Sequence, residues 1–359
     1  MSGLVVSHDE STVVMTTWIW DGSRGRMTGS LLRIIEIASN RVEDHAVGPT
    51  GFFSLVPWPE GRFALIRQPI DGPDAPEADA LVAQGKLPRV IIRGFEDPLT
   101  DIAVARITSD DRLELEGDPS AWDVPPSLVP LDSGPGPWRW GFPLVLRLDG
   151  GDVEVHRLEV VRPSPDRGDG DGYRLTPLGD GRTVLLSHTR YGDELLVVDV
   201  VEDAVVARTA LGGVSPTAVE FLPRRNEVWI GQHDQLLRFD PARMAVTDAV
   251  RLRNDRSGSF IGALCCNTSE SRCAVSYALR SRDPRGPWAS PSGGRILLFD
   301  VDSFRVVGSV EAPGWVDDLT LMSNDRVCGR INFEMWRGRI AAAQHQLYPS
   351  RQPGERDWM

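Results

Sequence analysis

Apolar positions in this chain fall into short runs of two kinds, and the two kinds follow one another in pairs. LLVVDVVEDAVVARTAL, from Leu195, is an unbroken apolar run, an acidic residue, a short polar turn and a second, alternating run. The arrangement returns in LLRFDPARMAVTDAVRL from Leu236, ILLFDVDSFRVVGSVEA from Ile296 and LLRIIEIASNRVEDHAV from Leu31. A fifth copy, LVLRLDGGDVEVHRLEV from Leu144, has a Gly-Gly turn. Joined by a tight turn, the two runs predict a β-hairpin. The acidic residue is Asp199, Asp240, Asp300 or Asp149, while Glu36 falls one place away in its copy.

A further strand precedes each hairpin: TVLLSH from Thr183, EVWIGQH from Glu227, CAVSYALR from Cys273 and STVVMTTW from Ser11. Turn signals (GDGR, PRRN, TSESR, SHDES) come before these, and another apolar run, such as TAVEFLP from Thr217, comes before several of the turns. The unit is four strands. Asp199 and Asp240 stand 41 positions apart, the length of a four-stranded propeller blade of roughly 40–45 residues. Asp240 and Asp300 stand 60 apart, with the excess in the Gly/Pro/Ser-rich stretch RDPRGPWASPSGG. The predicted fold is all-β, a single seven-bladed β-propeller over residues 1–350, with six or eight blades as alternatives and a tail at 351–359. The blades are expected near 9–47, 48–107, 108–161, 162–211, 212–252, 253–312 and 313–350. GLVVS, near the start, is expected to join the sheets across the closure point, because an unpaired edge is a liability. Helical periodicity is confined to EADALVAQGK.

The φφxFD–turn–xxVxxxV hairpins resemble those of the YVTN and quinoprotein-amine-dehydrogenase-like propellers, distant relatives of WD-repeat proteins. The resemblance covers residues 170–312 well and the flanks loosely, and it implies an architecture without implying a function. The WD dipeptide and Gly-His signature of true WD repeats are absent.

The long inserts fall at one recurrent joint, between the second and third strands of a blade: WIWDGSRGRMTGS, PIDGPDAPEADALVAQGKLP, DSGPGPWRWGFP, RSRDPRGPWASPSGG and EMWRG. Insertions gathered at one joint are expected on a binding face. Six of the eleven tryptophans lie in them, namely Trp18, Trp20, Trp138, Trp140, Trp288 and Trp336, beside Arg24, Arg26, Arg139, Arg282, Arg285 and Arg337. Arg190 and Tyr191 follow the second strand of the fourth blade. Trp and Arg dominate interface hot spots, and Arg also forks onto carboxylates and phosphates. The expected partner is a protein or peptide, with an anionic aromatic ligand as the alternative. The plain structural reading is that the tryptophans pin long loops to the rim while arginines stack on them.

Composition narrows the function classes. A net charge of −12, with Lys86 the sole lysine, argues against a general binder of nucleic-acid backbones. A GC-rich genome accounts for the lysine scarcity. No basic and apolar leader and no membrane-length apolar run occurs, so a cytoplasmic protein with no membrane association is expected. Cys265, Cys266, Cys273 and Cys328 form no CxxC pair, and buried reduced thiols are expected. No cofactor is expected. GxSxG, P-loop and GxGxxG motifs are absent, Ser187-His188 has no assigned acid, and DRGDGDG (166–172) lacks the closing glutamate of a calcium loop. His188 and His233 end the second strands of adjacent blades, followed by Arg190-Tyr191 and Asp234. With Glu334 or Asp283 they would make a metal site for a lyase or lactonase. The leading expectation is a non-catalytic binding scaffold. The alternatives are that metal enzyme and a sensor of a small anionic metabolite.

Overall fold

The computed structural model describes residues 4–7, 10–21, 26–39, 41–46, 52–58, 62–68, 101–107, 113–116, 127–131, 144–149, 152–160, 173–188, 194–212, 216–252, 260–280, 291–316, 318–331, 334–339, 341–342 and 347–349. Among them the strands form seven antiparallel sheets and no α-helix. The chain divides into two compact units, Met1–Gly134 with Leu144–Arg157, and Pro135–Pro143 with Leu158–Met359.

The first unit holds three sheets. Strands β1 (Leu4–Val6), β2 (Thr12–Asp21), β3 (Arg26–Glu36) and β4 (Val42–Ala46) pair in chain order. So do β5 (Phe52–Trp58), β6 (Arg62–Gln68), β7 (Asp101–Ile107) and β8 (Leu113–Glu116). The third sheet has β9 (Ser127–Leu131), β10 (Leu144–Asp149) and β11 (Asp152–Arg157), with Asp149 opposite Asp152. Three expectations are corrected here. GLVVS contributes the first strand of the first sheet, with Leu4 opposite Met15. Leu113–Glu116 pairs with β7 and so completes the second sheet, although the boundary at 107/108 assigned it to the third. The insert expected as a loop from Trp18 to Ser30 is ladder over 18–21 and 26–30 instead, with Trp18 opposite Ser30 and Trp20 opposite Met27. Alternating Thr, Trp and Ile suit a pleated strand better than a loop, and pairing satisfies the backbone groups.

In the second unit β12 (Tyr173–Pro177), β13 (Thr183–His188), β14 (Glu194–Asp199) and β15 (Ala204–Ala210) make the fourth sheet. The fifth comprises β16 (Ala218–Leu222), β17 (Glu227–Gln232), β18 (Gln235–Asp240) and β19 (Ala245–Leu252), and the sixth β20 (Phe260–Cys266), β21 (Arg272–Arg280), β22 (Pro291–Asp300) and β23 (Arg305–Ala312). The seventh has β24 (Asp318–Leu321), β25 (Arg326–Ile331) and β26 (Glu334–Arg339). GRIAAAQHQLY, expected to supply a strand of the seventh sheet, does so only with its first two residues. β27 (Ala341–Ala342) pairs with the outer strand of the sixth sheet and β28 (Leu347–Pro349) with that of the fifth. EMWRG is likewise strand, with Trp336 opposite Gly329 and Arg337 opposite Cys328.

The core of this unit lies between successive sheets. Leu195 and Val197 pack with Val228, Ile230 and Phe239, joining the fourth sheet to the fifth. One residue along β17 the side chain turns over, and Trp229 packs with Cys273, Val275, Leu297 and Phe299 of the sixth. Ala274, Ile296 and Leu298 then face Leu319, Leu321 and Val327 of the seventh. The middle strands are therefore buried on both faces, which explains their unbroken apolar runs. The outer strand β15 alternates between half-buried and exposed positions.

Trp229 anchors the fifth sheet to the sixth. It is fully buried, meets Phe304 edge-on with centroids 5.0 Å apart and Phe299 at 5.8 Å, and donates through Nε1 to Glu227 Oε1 at 2.6 Å. Arg238 binds the same Glu227 oxygen at 3.0 Å, stacks over Phe304 and reaches the Val301 carbonyl. Trp229→Ala leaves a large void and takes one donor from Glu227. We expect a loss of about 3–5 kcal/mol in chemical denaturation, against under about 1 kcal/mol for an exposed outer-strand change such as Val206→Ala.

Candidate functional site

Within the second unit, one end of the fifth, sixth and seventh sheets gathers aromatic and charged side chains. The turn from β17 to β18 is the pair His233-Asp234, flanked by Gln232 opposite Gln235. His233 adopts φ 54°, and its carbonyl accepts the Ile261 N–H at 2.8 Å, which places this turn beside the start of β20. The Asp234 carbonyl accepts from Leu252 at 2.8 Å. Its carboxylate takes Arg251 Nε at 2.7 Å and lies 3.5 Å from His233 Nδ1. Burial pushes the Asp234 carboxyl up, but the bonds and charges of His233 and Arg251 outweigh it and hold the group below the usual range.

At the start of β20, Phe260 meets Trp315 edge-on, with centroids 5.1 Å apart. Trp315 lies on the connection from β23 to β24 and keeps 37% of its surface exposed, unusual for so large an aromatic. Gly262 makes room for it. The ladder register slips between Ile261 and Ala263, and a Cβ on Gly262 would lie 2.1 Å from Trp315 Nε1. An exposed indole can stack on a planar group and donate a hydrogen bond. No activated nucleophile stands in this cluster.

At the other end of β16–β20, Glu220 Oε1 accepts the Cys266 N–H at 3.4 Å. The carboxyl is shut away from water on a residue that is half-buried as a whole, and this raises it to about 7 despite the hydrogen bond.

The sequence reading and the structure meet unevenly. Trp18, Trp20 and Arg26 lie in β2 and β3, and Trp336 and Arg337 in β26, so these five sit on ladders and not on loops. Arg24, Trp138, Arg139, Trp140, Arg190, Tyr191, Arg282, Arg285 and Trp288 lie outside the described residues, as do EADALVAQGK and DRGDGDG. His188 ends β13 opposite Tyr173. Ser187 is buried, and among the described residues its Oγ has no hydrogen-bond partner. No three His, Cys, Asp or Glu side chains gather to hold a metal among the described residues. Sequence reading missed Phe260, Trp315 and Gly262. The available signal was GW in EAPGWVDD, a tryptophan placed just before a strand.

Solved structures fix what this architecture is. The chain is similar to the β-propeller domain of Cps50 (Swd1) from Myceliophteria thermophila, with 10% identity over 93% of this chain and 96% of that one, at a TM-score of 0.53. The fold is a β-propeller. A chain of the mitotic checkpoint complex aligns with 10% identity over 93% of this chain and 88% of the other, at a TM-score of 0.50. No protein-family model and no curated protein matches the chain. At such identity the likeness carries the propeller fold alone. Among the described residues no helix is long and apolar enough to cross a membrane.

Two outcomes follow. Gly262→Ala forces the Trp315 ring out of its seat, and we expect a red-shifted tryptophan emission with the fold retained by circular dichroism. For Glu220, a folded-state value raised to about 7 favours folding fully below the unfolded carboxyl range near 4.3 and loses that contribution as pH rises through about 7. Glu220→Gln should therefore flatten the fall of stability between about pH 4.5 and 7, read from denaturant midpoints.

Proposed function

We propose that the chain is a seven-bladed propeller of the YVTN-like kind, cytoplasmic and non-catalytic, that works as a binding scaffold for a protein or peptide. In this reading the joints between second and third strands open on one face and bring Trp140, Trp288 and the neighbouring arginines to the partner. The observation that carries it is the exposed Trp315, held edge-on against Phe260 beside the His233-Asp234 joint of the fifth sheet. A partly exposed tryptophan on a rigid sheet end is the kind of side chain that anchors protein interfaces. A rigid propeller also lowers the ordering cost of binding.

The test is affinity capture from extracts of the source cells, with Trp140→Ala, Trp288→Ala and Trp315→Ala beside the parent chain. Loss of the captured partner with Tm within about 2 °C of the parent is expected. Variants that melt several degrees lower and still hold the partner would assign these tryptophans to packing.

A further inference from the structure

Two of the four cysteines face one another across the inner hairpin of the sixth sheet. Cys266 of β20 and Cys273 of β21 are direct ladder partners. The kind of pair follows from its neighbour. Asn267 N–H donates to the Arg272 carbonyl at 3.0 Å, so that position is hydrogen-bonded. By alternation Cys266 and Cys273 are a non-hydrogen-bonded pair. The Cys266 N–H agrees, since it turns away from β21 and donates to Glu220 on β16. Non-hydrogen-bonded partners bring Cα atoms to about 4.5 Å, within the roughly 4.4–6.8 Å a disulfide spans. The thiols lie on the same face of the sheet, toward the fifth.

The other cysteines are placed elsewhere. Cys265 points to the opposite face, among Leu319, Leu321 and Val327. Cys328 Sγ lies 3.2 Å from Met322 Sδ. All four are free thiols in this structure.

We propose that Cys266 and Cys273 are a thiol modification site, closing to a reversible cross-strand disulfide when a hydroperoxide oxidises them. Cys266 is half-buried and Cys273 fully buried, so Cys266 meets the oxidant. Its thiolate attacks one peroxide oxygen. The O–O bond breaks, an S–O bond forms, and the departing oxygen leaves as water or an alcohol once protonated. Cys273 sulfur then attacks the Cys266 sulfenic acid, the S–S bond forms, and water leaves. The two thiols give up two hydrogens and two electrons, and the hydroperoxide takes them.

The surroundings set the rate. The hydrogen bond from Cys273 draws the Cys266 thiol down, but burial and the charges of Glu220, Glu270 and Glu227 outweigh it and raise the group. Burial, with the bond to Cys266, raises Cys273 well above the ordinary thiol value. Closure is therefore slow near neutrality, and its rate climbs about tenfold per pH unit while the thiolate is the minor form.

Peptide mapping of the full chain tests this without a variant. The folded protein is treated with hydrogen peroxide, unfolded in the presence of iodoacetamide so that buried thiols are blocked as well, and cut with trypsin, which cleaves after Arg272 between the two cysteines. The expected product is two peptides joined by a bridge that fragment spectra place on Cys266 and Cys273, parted by dithiothreitol, with Cys265 and Cys328 alkylated. Cys266→Ser and Cys273→Ser should each abolish it and leave the remaining thiol alkylated. A bridge through Cys265 or Cys328 would overturn the assignment. So would Cys266 oxidised to sulfinic acid beside an alkylated Cys273, or both thiols alkylated after prolonged oxidation at pH 8.5.

Discussion

The structure depends on the burial of each middle strand on both faces. In β17, Val228 and Ile230 pack toward the fourth sheet and Trp229 toward the sixth. In β21 and β22, Cys273, Val275, Leu297 and Phe299 face the fifth sheet, while Ala274, Ile296 and Leu298 face the seventh. A sheet with two apolar faces cannot stand alone in water, so each exists only between neighbours. That makes the second unit a chain of mutually dependent layers whose stability is a sum of interfaces.

The polar groups around Trp229 are held by several partners each. Glu227 accepts from both Trp229 Nε1 and Arg238 Nε, and Arg238 spends another donor on the Val301 carbonyl while its planar group covers Phe304. Phe304 takes a left-handed conformation, φ 53°, which is costly for a bulky side chain. Its ring lies 5.0 Å from Trp229, so packing offsets the backbone cost. Tyr277 and Ser276 act alike, giving their hydroxyls to the Leu252 and Val316 carbonyls, and thereby fix the chain where it leaves one sheet and enters the next.

The hairpins were legible because two-sided and one-sided burial write different patterns, and LLVVD beside AVVARTA carries both. The ends were not. β27 and β28 are two and three residues long, too short for any period to register, and are made by pairing with β23 and β19 alone. WIWDGSRGRMTGS read as an insert because its length exceeds a turn, yet its two halves pair through Trp20 and Met27. The Trp315–Phe260 pair joins the start of β20 to the connection between β23 and β24, which one-dimensional spacing does not reveal. Residue type marked tryptophan and arginine as binding candidates but could not tell a ladder position such as Trp336 from a loop.

The two ends of the sheets in the second unit also differ in how tightly their turns are determined. At the turn between third and fourth strands, Asp199 Oδ1 accepts from Val201 and Glu202, Asp240 Oδ1 from Ala242 and Arg243, and Asp300 Oδ1 from Ser303. Each turn then needs one left-handed residue, Asp203, Met244 or Phe304. Arg182 and Arg272 add ion pairs to Asp199 and Asp300. Hydrogen bonds from Ser303 hold the Asp300 carboxyl below its usual range, and at Asp199 those from Glu202 and Arg182 outweigh burial to the same effect. An extra residue in such a turn would carry the carboxylate away from its amides and misplace the left-handed position. Length is thus fixed at that end by hydrogen bonding, and the joints between second and third strands are left to absorb insertions.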